Sequence, residues 1–337
     1  MKTFIYCKPN LVTGGIELLY QLADLLNKNG YDAFIVSAEG GDFDIPSDYV
    51  KYNARKALQI EDTKDNVIVI PEVFAAKIKS INYSRIILWW LSIDNYYFNY
   101  SGSFYDLWNF NKLFAIKSIA KKVLGKIKNN NYSISCIQNN TRVINAYQSE
   151  YAKSFLSNKG ITNLVPLKDY INEDYIYSPG LNEKKEDLII YNPKKGIKYT
   201  KNLMKYAPEL NWIPIQNMNR QQVRDLMERA KVYIDFGNHP GKDRMPREAA
   251  MCGCCIITGK KGSAGFLEDV YIDEGKYKFK QQKHIIPEII ACIEDLITNY
   301  SVRINDYDAY RKRISSEKSE FEEQVTTLFN KLSEEII

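Results

Sequence analysis

Residues 2–37 read KTFIYCKPNLVTGGIELLYQLADLLNKNGYDAFIVS, and their order decides the fold class. Thr3–Tyr6 is a short β-prone run, and Val12-Thr13-Gly14-Gly15 reads as a turn. Ile16, Leu18, Leu19, Leu22, Leu25 and Leu26 then recur at helical spacing, up to Asn29-Gly30, a suitable helix end. A second strand is expected over Asp32–Ser37. Strand, glycine turn, helix and strand make a βαβ unit, whose crossover forces the two strands to lie parallel.

The same rhythm continues outward. Strands are predicted over Val67–Ile70, Arg85–Leu91, Ser133–Ile137 and Asn163–Leu167, with helices over Asn111–Lys128 and Ser149–Asn158. The stretch 173–186 carries Pro179-Gly180 and mixed charge and reads as a linker. Beyond it a second series begins. Leu188–Tyr191, Trp212–Ile215, Val232–Phe236 and Cys254–Thr258 read as strands, and Tyr199–Tyr206, Arg220–Ala230 and Arg247–Met251 as helices. Ile286–Thr298 and Tyr307–Leu332 also read as helical, the last as a highly charged surface helix. The expected architecture is α/β: two doubly wound domains (1–172 and 187–305) facing each other across a cleft, then a helical segment at 306–337.

Composition agrees. At roughly 150 residues per domain, a chain of 337 residues has room for two. With 45% hydrophobic and 26% charged residues it is neither disordered nor fibrous. A net charge of +5, with basic and aromatic residues not interleaved on one stretch, argues against nucleic acid as a partner. The six cysteines follow no disulfide spacing and read as reduced, buried thiols. Zinc on Cys252-Gly253-Cys254-Cys255 is the sharper alternative, disfavoured because only two histidines exist to complete a site. No signal peptide is visible at the start, and the longest apolar run, Ile86–Leu91, is far short of the about 20 residues a bilayer needs. A cytoplasmic location follows as an expectation.

Four stretches carry candidate chemistry. Gly14-Gly15 opens the first helix, where unpaired N–H groups could meet an anion or a sugar oxygen; Glu17, next to this turn, is a second candidate base after Asp94, or simply faces the helix dipole. Asp94 lies just past the Arg85–Leu91 strand and is a candidate base or a helix cap. The aromatics after it, Tyr96-Tyr97-Phe98-Asn99-Tyr100 and Phe104-Tyr105, could stack on sugar faces or fill a partly buried loop. Residues 111–131 hold six lysines and an apolar helical stripe, which could lie on anionic lipid or pack on the sheet. The richest stretch is residues 235–253, DFGNHPGKDRMPREAAMCG, a polar loop leading into a helix that Pro246 should open near Met245. Arg244 and Arg247 beside a first-turn Glu248 would suit a diphosphate and a ribose.

Three segments together, GGIELLYQLADLLNKNGYDAFIV, YQSEYAKSFLSNKG and REAAMCGCCIITGKKGSAGFLEDV, resemble the layout of GT-B glycosyltransferases, close to the family-4-like group that uses nucleotide-sugar donors. The resemblance implies two Rossmann-like domains, a nucleotide-sugar on the second and a glycan or lipid-linked acceptor on the first. It likens Glu248 to the glutamate that binds the donor ribose, Gly262 and Ser263 to the loop that meets the donor phosphates or sugar, and Lys195 to the cation that neutralises the diphosphate. Asn192 and Lys194 flank that cation. The group's second glutamate falls at Pro240 here, so His239 or Asp243 would have to take its part on the sugar. Both histidines, His239 and His284, lie in the C-terminal half, so the group's N-terminal histidine has no match. No metal and no cofactor are expected, since Lys194, Lys195, Arg244 and Arg247 could carry the leaving charge. Surface polysaccharide assembly is the implied setting. A nucleotide-sugar epimerase or phosphorylase, or a catalytically silent subunit of the same fold, are the alternatives.

Overall fold

The computed structural model describes residues 1–113, 115–116, 131–176 and 185–335. The chain divides into two compact units, residues 1–169 with 319–337 and residues 170–318. No helix among the described residues is long and apolar enough to cross a membrane.

The first unit is built on seven parallel strands: β1 (Lys2–Cys7), β2 (Asp32–Ser37), β3 (Arg55–Ala57), β4 (Val67–Pro71), β5 (Arg85–Trp90), β6 (Val143–Tyr147) and β7 (Leu164–Pro166). They lie in the order β3-β2-β1-β4-β5-β6-β7, so the winding reverses between β1 and β4. Covered on both faces, the central strands are continuously apolar, and every residue of β4 is buried. Alternation sends neighbouring tryptophans to opposite faces. Trp90 packs on Tyr96 and donates to Asn145 Oδ1 at 3.0 Å, while Trp89 stacks on Phe321 and donates to the Leu167 carbonyl at 2.8 Å.

The second unit has five parallel strands: β8 (Glu186–Tyr191), β9 (Asn211–Pro214), β10 (Ala230–Asp235), β11 (Cys255–Gly259) and β12 (Lys278–Phe279). Their order is β12-β11-β10-β8-β9, which puts the reversal between β8 and β10. Ile189, Ile190, Val232, Tyr233, Ile256 and Ile257 form its centre, under the helix Ile286–Thr298. The cysteine cluster belongs to this core. All six cysteines are free thiols, and Cys252, Cys254 and Cys255 are buried.

Several expectations need correction. Ser133–Ile137 is not a strand: residues Ile134–Gln138 are helical, because Ser133 caps the segment by accepting from the Cys136 N–H. The Ser-Ile-Ser alternation mimicked a period of two. The strand at that place in the sheet is β6, ten residues on, which the sequence reading did not single out. Asp308–Glu334 is one helix, but not a surface one. It buries Tyr310 and Ile314 in the second unit and Phe321, Val325, Phe329 and Leu332 in the first. The basic stretch Lys112–Lys128 lies mostly outside the described residues, as do 177–184 of the expected linker.

Candidate functional site

In open parallel sheets, ligands sit beyond the carboxyl ends of the strands where the winding reverses. In the second unit those ends are β8 and β10, and the loops that follow them are residues 192–196 and 236–243. The loops are pressed together. Gly196 has φ +61°, and a Cβ there would lie 2.4 Å from the Phe236 backbone, so only glycine fits. A third loop joins them: Ser263 N donates to the His239 carbonyl at 2.9 Å, and Ser263 Oγ donates to the Gly241 carbonyl at 2.6 Å. Gly262, at φ +61°, passes so close that a Cβ would lie 2.0 Å from the His239 oxygen. Lys195, His239, Asp243, Gly262 and Ser263 are therefore neighbours.

Their charges form one array. Lys195 Nζ donates to Asp243 Oδ2 at 2.6 Å, and the same oxygen lies 2.9 Å from His239 Nδ1. His239 Nε2 faces Asp235 Oδ1 at 3.5 Å. Asp235 is in turn held by the Tyr233 hydroxyl at 3.0 Å and the Gly237 N–H at 2.8 Å. Burial by itself would push the His239 pKa down, yet the two carboxylates override it and lift it to about 9. His239 is therefore an imidazolium at neutral pH. Burial works against both aspartates as well, but His239 and Lys195 hold them below the usual carboxylate range. Two carboxylates, one imidazolium and one ammonium balance. Among the described residues, Asp235, His239 and Asp243 bring metal-ligating atoms within 4.8 Å of one another. Both ring nitrogens of His239 face carboxylates, so a cation there would have to displace a proton and compete with Lys195.

The remaining candidates divide. Asn192 is half-buried, touches Met245 Sδ at 3.3 Å and accepts from the Lys194 N–H at 3.0 Å, while the Lys194 side chain is exposed. Arg244 is the first residue of the helix Arg244–Met251 and is half-buried. Glu248, expected in its first turn, is the fifth residue and half-buried. Arg247, expected to face the ligand with Arg244, is wholly buried instead. Its guanidinium meets Glu317 at 2.6 Å and donates to the Lys242 carbonyl at 2.9 Å; Lys242 Nζ pairs with the other Glu317 oxygen at 2.7 Å. The expectation failed because Glu317 comes from a helix 70 residues further on, which local reading could not place here. Asp235, Tyr233, Lys242 and Glu317 were likewise not singled out. For the first, the spacing Asp235-x₃-His239-x₃-Asp243 was the available signal.

The two helices that leave this edge share a property. Gly196 before Ile197–Tyr206 has no side chain to cap with, and Asp243 before Arg244–Met251 makes no capping bond, its carboxylate being turned to Lys195 and His239. The helix after β9, by contrast, is closed by a capping box from Asn219 and Gln222.

In the first unit, Gly14 and Gly15 are the first two residues of the helix Gly14–Lys28 and not a turn before it, with Thr13 capping at 3.3 Å. Glu17 is buried and accepts from the Tyr52 hydroxyl at 2.9 Å. Asp94 is buried in the first turn of Ile93–Asn99 and accepts from the Tyr151 hydroxyl at 3.1 Å. Tyr96, Tyr97 and Tyr100 are core residues, unavailable for stacking on a sugar, whereas Phe98, Phe104, Tyr105 and Trp108 are exposed. One further group was missed. Glu72 directly follows β4 at the winding reversal, is 2% exposed and accepts from the Leu91 N–H at 3.0 Å. Burial pushes its pKa up to about 8.

No family model and no curated protein sequence matches the chain. Solved structures do. The chain is similar to a sucrose-phosphate synthase from Thermosynechococcus elongatus (TM-score 0.68, 10% identity, 98% of this chain and 99% of that one). It is similar to a glycosyltransferase from Rickettsia africae (TM-score 0.59, 14% identity, 99% and 98%). It is also similar to an alpha-glucosyltransferase in complex with UDP and a 13-mer DNA (TM-score 0.58, 10% identity, 97% and 99%). At these identities the likeness concerns the fold: each unit is a Rossmann-like domain, and the chain has the GT-B fold.

Proposed function

We propose that this chain is a glycosyltransferase that binds a nucleotide-sugar on the carboxyl edge of its second unit and an acceptor hydroxyl on that of its first. One observation carries the reading. Two helices without side-chain caps start at the winding reversal of β8 and β10, and Lys195, in the loop before the first, reaches Asp243 in the loop before the second. Helix N–H groups beside an ammonium suit a diphosphate. In the reaction the acceptor oxygen bonds to the anomeric carbon. The bond to the diphosphate breaks, and the diphosphate leaves with the electron pair, its charge met by Lys195, Lys194 and Arg244. Asp94 or Glu17 would take the hydroxyl proton in an inverting transfer; in a retaining one the donor phosphate would take it. Glu248 is assigned to the donor ribose, and Gly262 and Ser263 to shaping the loop beside it. No cofactor or metal enters this scheme. The proteins of like fold include one bound to UDP, which makes a uridine nucleotide the first to try.

Thermal shift with UDP, GDP, ADP, CMP and dTDP, followed by calorimetry on the best ligand, tests the placement. Lys195→Ala should weaken binding about 10- to 100-fold, the worth of a hydrogen bond to a charged group. An unchanged affinity for every nucleotide would sink the placement, whereas failure of the unaltered chain to bind any of them would favour the silent-subunit reading, which Pro240 at the second glutamate's place keeps in view.

The acceptor is proposed to be a glycan or lipid-linked intermediate of surface polysaccharide assembly, made at the cytoplasmic face of a membrane; nucleic acid is not expected as an acceptor. Lys112 with the exposed Phe104, Tyr105, Trp108, Leu113 and Ile116 supports contact with an anionic bilayer surface. Co-sedimentation with vesicles rich in phosphatidylglycerol, lost on Trp108→Ala with Tyr105→Ala, is the expected result.

A further inference from the structure

Lys195 is the cation on which the donor placement rests, yet its ammonium is not idle: it is paired with Asp243 at 2.6 Å. A ligand phosphate must compete with that carboxylate. The rest of the array bears on the competition. Asp243 Oδ2 is shared between Lys195 and the buried imidazolium of His239, and Asp235 keeps the far edge of that ring occupied. Asp243 is also the residue before the helix Arg244–Met251, where an aspartate would ordinarily cap, and it does not. Its carboxylate has been diverted from the backbone to a side-chain partner in another loop.

We infer that Asp243 and His239 are positioning residues for Lys195, an inference that rests on the nucleoside-diphosphate reading of the same edge. Asp243 fixes the ammonium beside the two helix N-termini. His239 supplies enough positive charge to Asp243 that Lys195 can turn to a phosphate without leaving this half-buried carboxylate uncompensated. Two partners share one anion, so either can take over when the other is drawn away. Neither residue is assigned a contact with the donor sugar, so the part that Pro240 leaves open is not filled by them.

Calorimetric titration of the full chain with UDP tests the arrangement in two double-mutant cycles: Asp243→Asn with Lys195→Ala, and His239→Asn with Lys195→Ala. With Lys195 present, Asp243→Asn and His239→Asn should each weaken UDP about fivefold or more. In the Lys195→Ala background the same changes should move affinity less than twofold, because nothing remains to be positioned. Equal losses in both backgrounds would mean a merely structural role and overturn the inference. Tighter binding by Asp243→Asn would do so as well, making Asp243 a competitor and not a support. Asp243→Asn keeps the shape of the side chain and leaves His239 its partner Asp235, so it remains informative should His239→Asn fail to fold. If Lys195→Ala itself leaves UDP affinity unchanged, the placement of the diphosphate has failed, a result distinct from a loss of coupling.

Discussion

The carboxyl edges of the two sheets solve the same problem differently. In the first unit the helices that follow β1, β5 and β6 are closed by Thr13, Ser92 and Ser149, each accepting from an N–H three residues on. In the second, the helices after β8 and β10 have no such closure, and the aspartate in the capping place is spent on Lys195 and His239. The buried charges differ in the same sense. Glu72 in the first unit is a carboxyl raised by burial, with a backbone N–H as partner. In the second, the buried Asp235 and His239 and the half-buried Asp243 and Lys195 compensate one another, and Arg247, Lys242 and Glu317 form a wholly buried group. A fold repeated twice in one chain thus separates what the fold needs from what was added. Satisfied helix starts serve stability, and unsatisfied ones next to a fixed cation are suited to an anion.

The contrast can be broken most directly at Glu317. Glu317→Ala should cost about 3–5 kcal/mol, because it strips the carboxylate from a buried guanidinium and ammonium. Denaturant unfolding followed by probes in each unit should assign that loss to the second unit alone. A cost under about 1 kcal/mol would mean that water or other groups already satisfy Arg247, and the second unit would not depend on buried charge as argued.

That pair also marks where the sequence stopped being legible. The βα rhythm was readable because buried parallel strands are continuous apolar runs and helices show a period near 3.6. Strands β1, β2, β4, β5 and β8–β11 stand near where those patterns put them. Ser133–Ile137 resembles a strand because Ser133 and Ser135 alternate with Ile134 and Cys136, although Ser133 is a helix cap. Of the site, the strand-to-helix placement of Lys195, His239 and Asp243 followed from local pattern. Their mutual pairing did not, since it joins loops 48 residues apart. Arg247 and Glu248 are adjacent in the sequence, and nothing local says that one turns to the core. That is decided by Glu317, which only the folded chain brings near.

The two units also differ in how they respond to pH. Burial lifts the Glu72 pKa from the usual 4.5 to about 8, so its contribution is fully present below 4.5 and is lost as pH rises through 8. His239, at about 9 against 6.5, contributes fully below 6.5 and loses this as pH rises through 9. Both units should therefore weaken toward alkaline pH for opposite reasons, one by gaining a buried charge and the other by losing a compensating one. Glu72→Gln keeps an acceptor for Leu91 and removes the charge. It should stabilise the first unit by about 3 kcal/mol at pH 7 and by nothing below pH 4.5. The alkaline weakening of the second unit, between pH 6.5 and 9, should be untouched. Melting curves across that range decide the matter; a gain independent of pH would show that Glu72 is not protonated in the fold.

The smallest effect concerns the helix starts themselves. Ser92→Ala and Ser149→Ala should each cost about 1 kcal/mol and speed hydrogen exchange at the Asn95 and Ala152 amides that those hydroxyls now hold. The first-turn amides Ile197, Lys198 and Met245 have no side-chain cap to lose. They should exchange quickly in the free protein and slow when a nucleoside diphosphate binds. Adding UDP should protect these three while leaving Asn95 and Ala152 as they were, because only an anion can supply what the side chains withhold. Protection that appeared equally at Asn95 would trace to global stabilisation by mass action and would erase the distinction between the two edges.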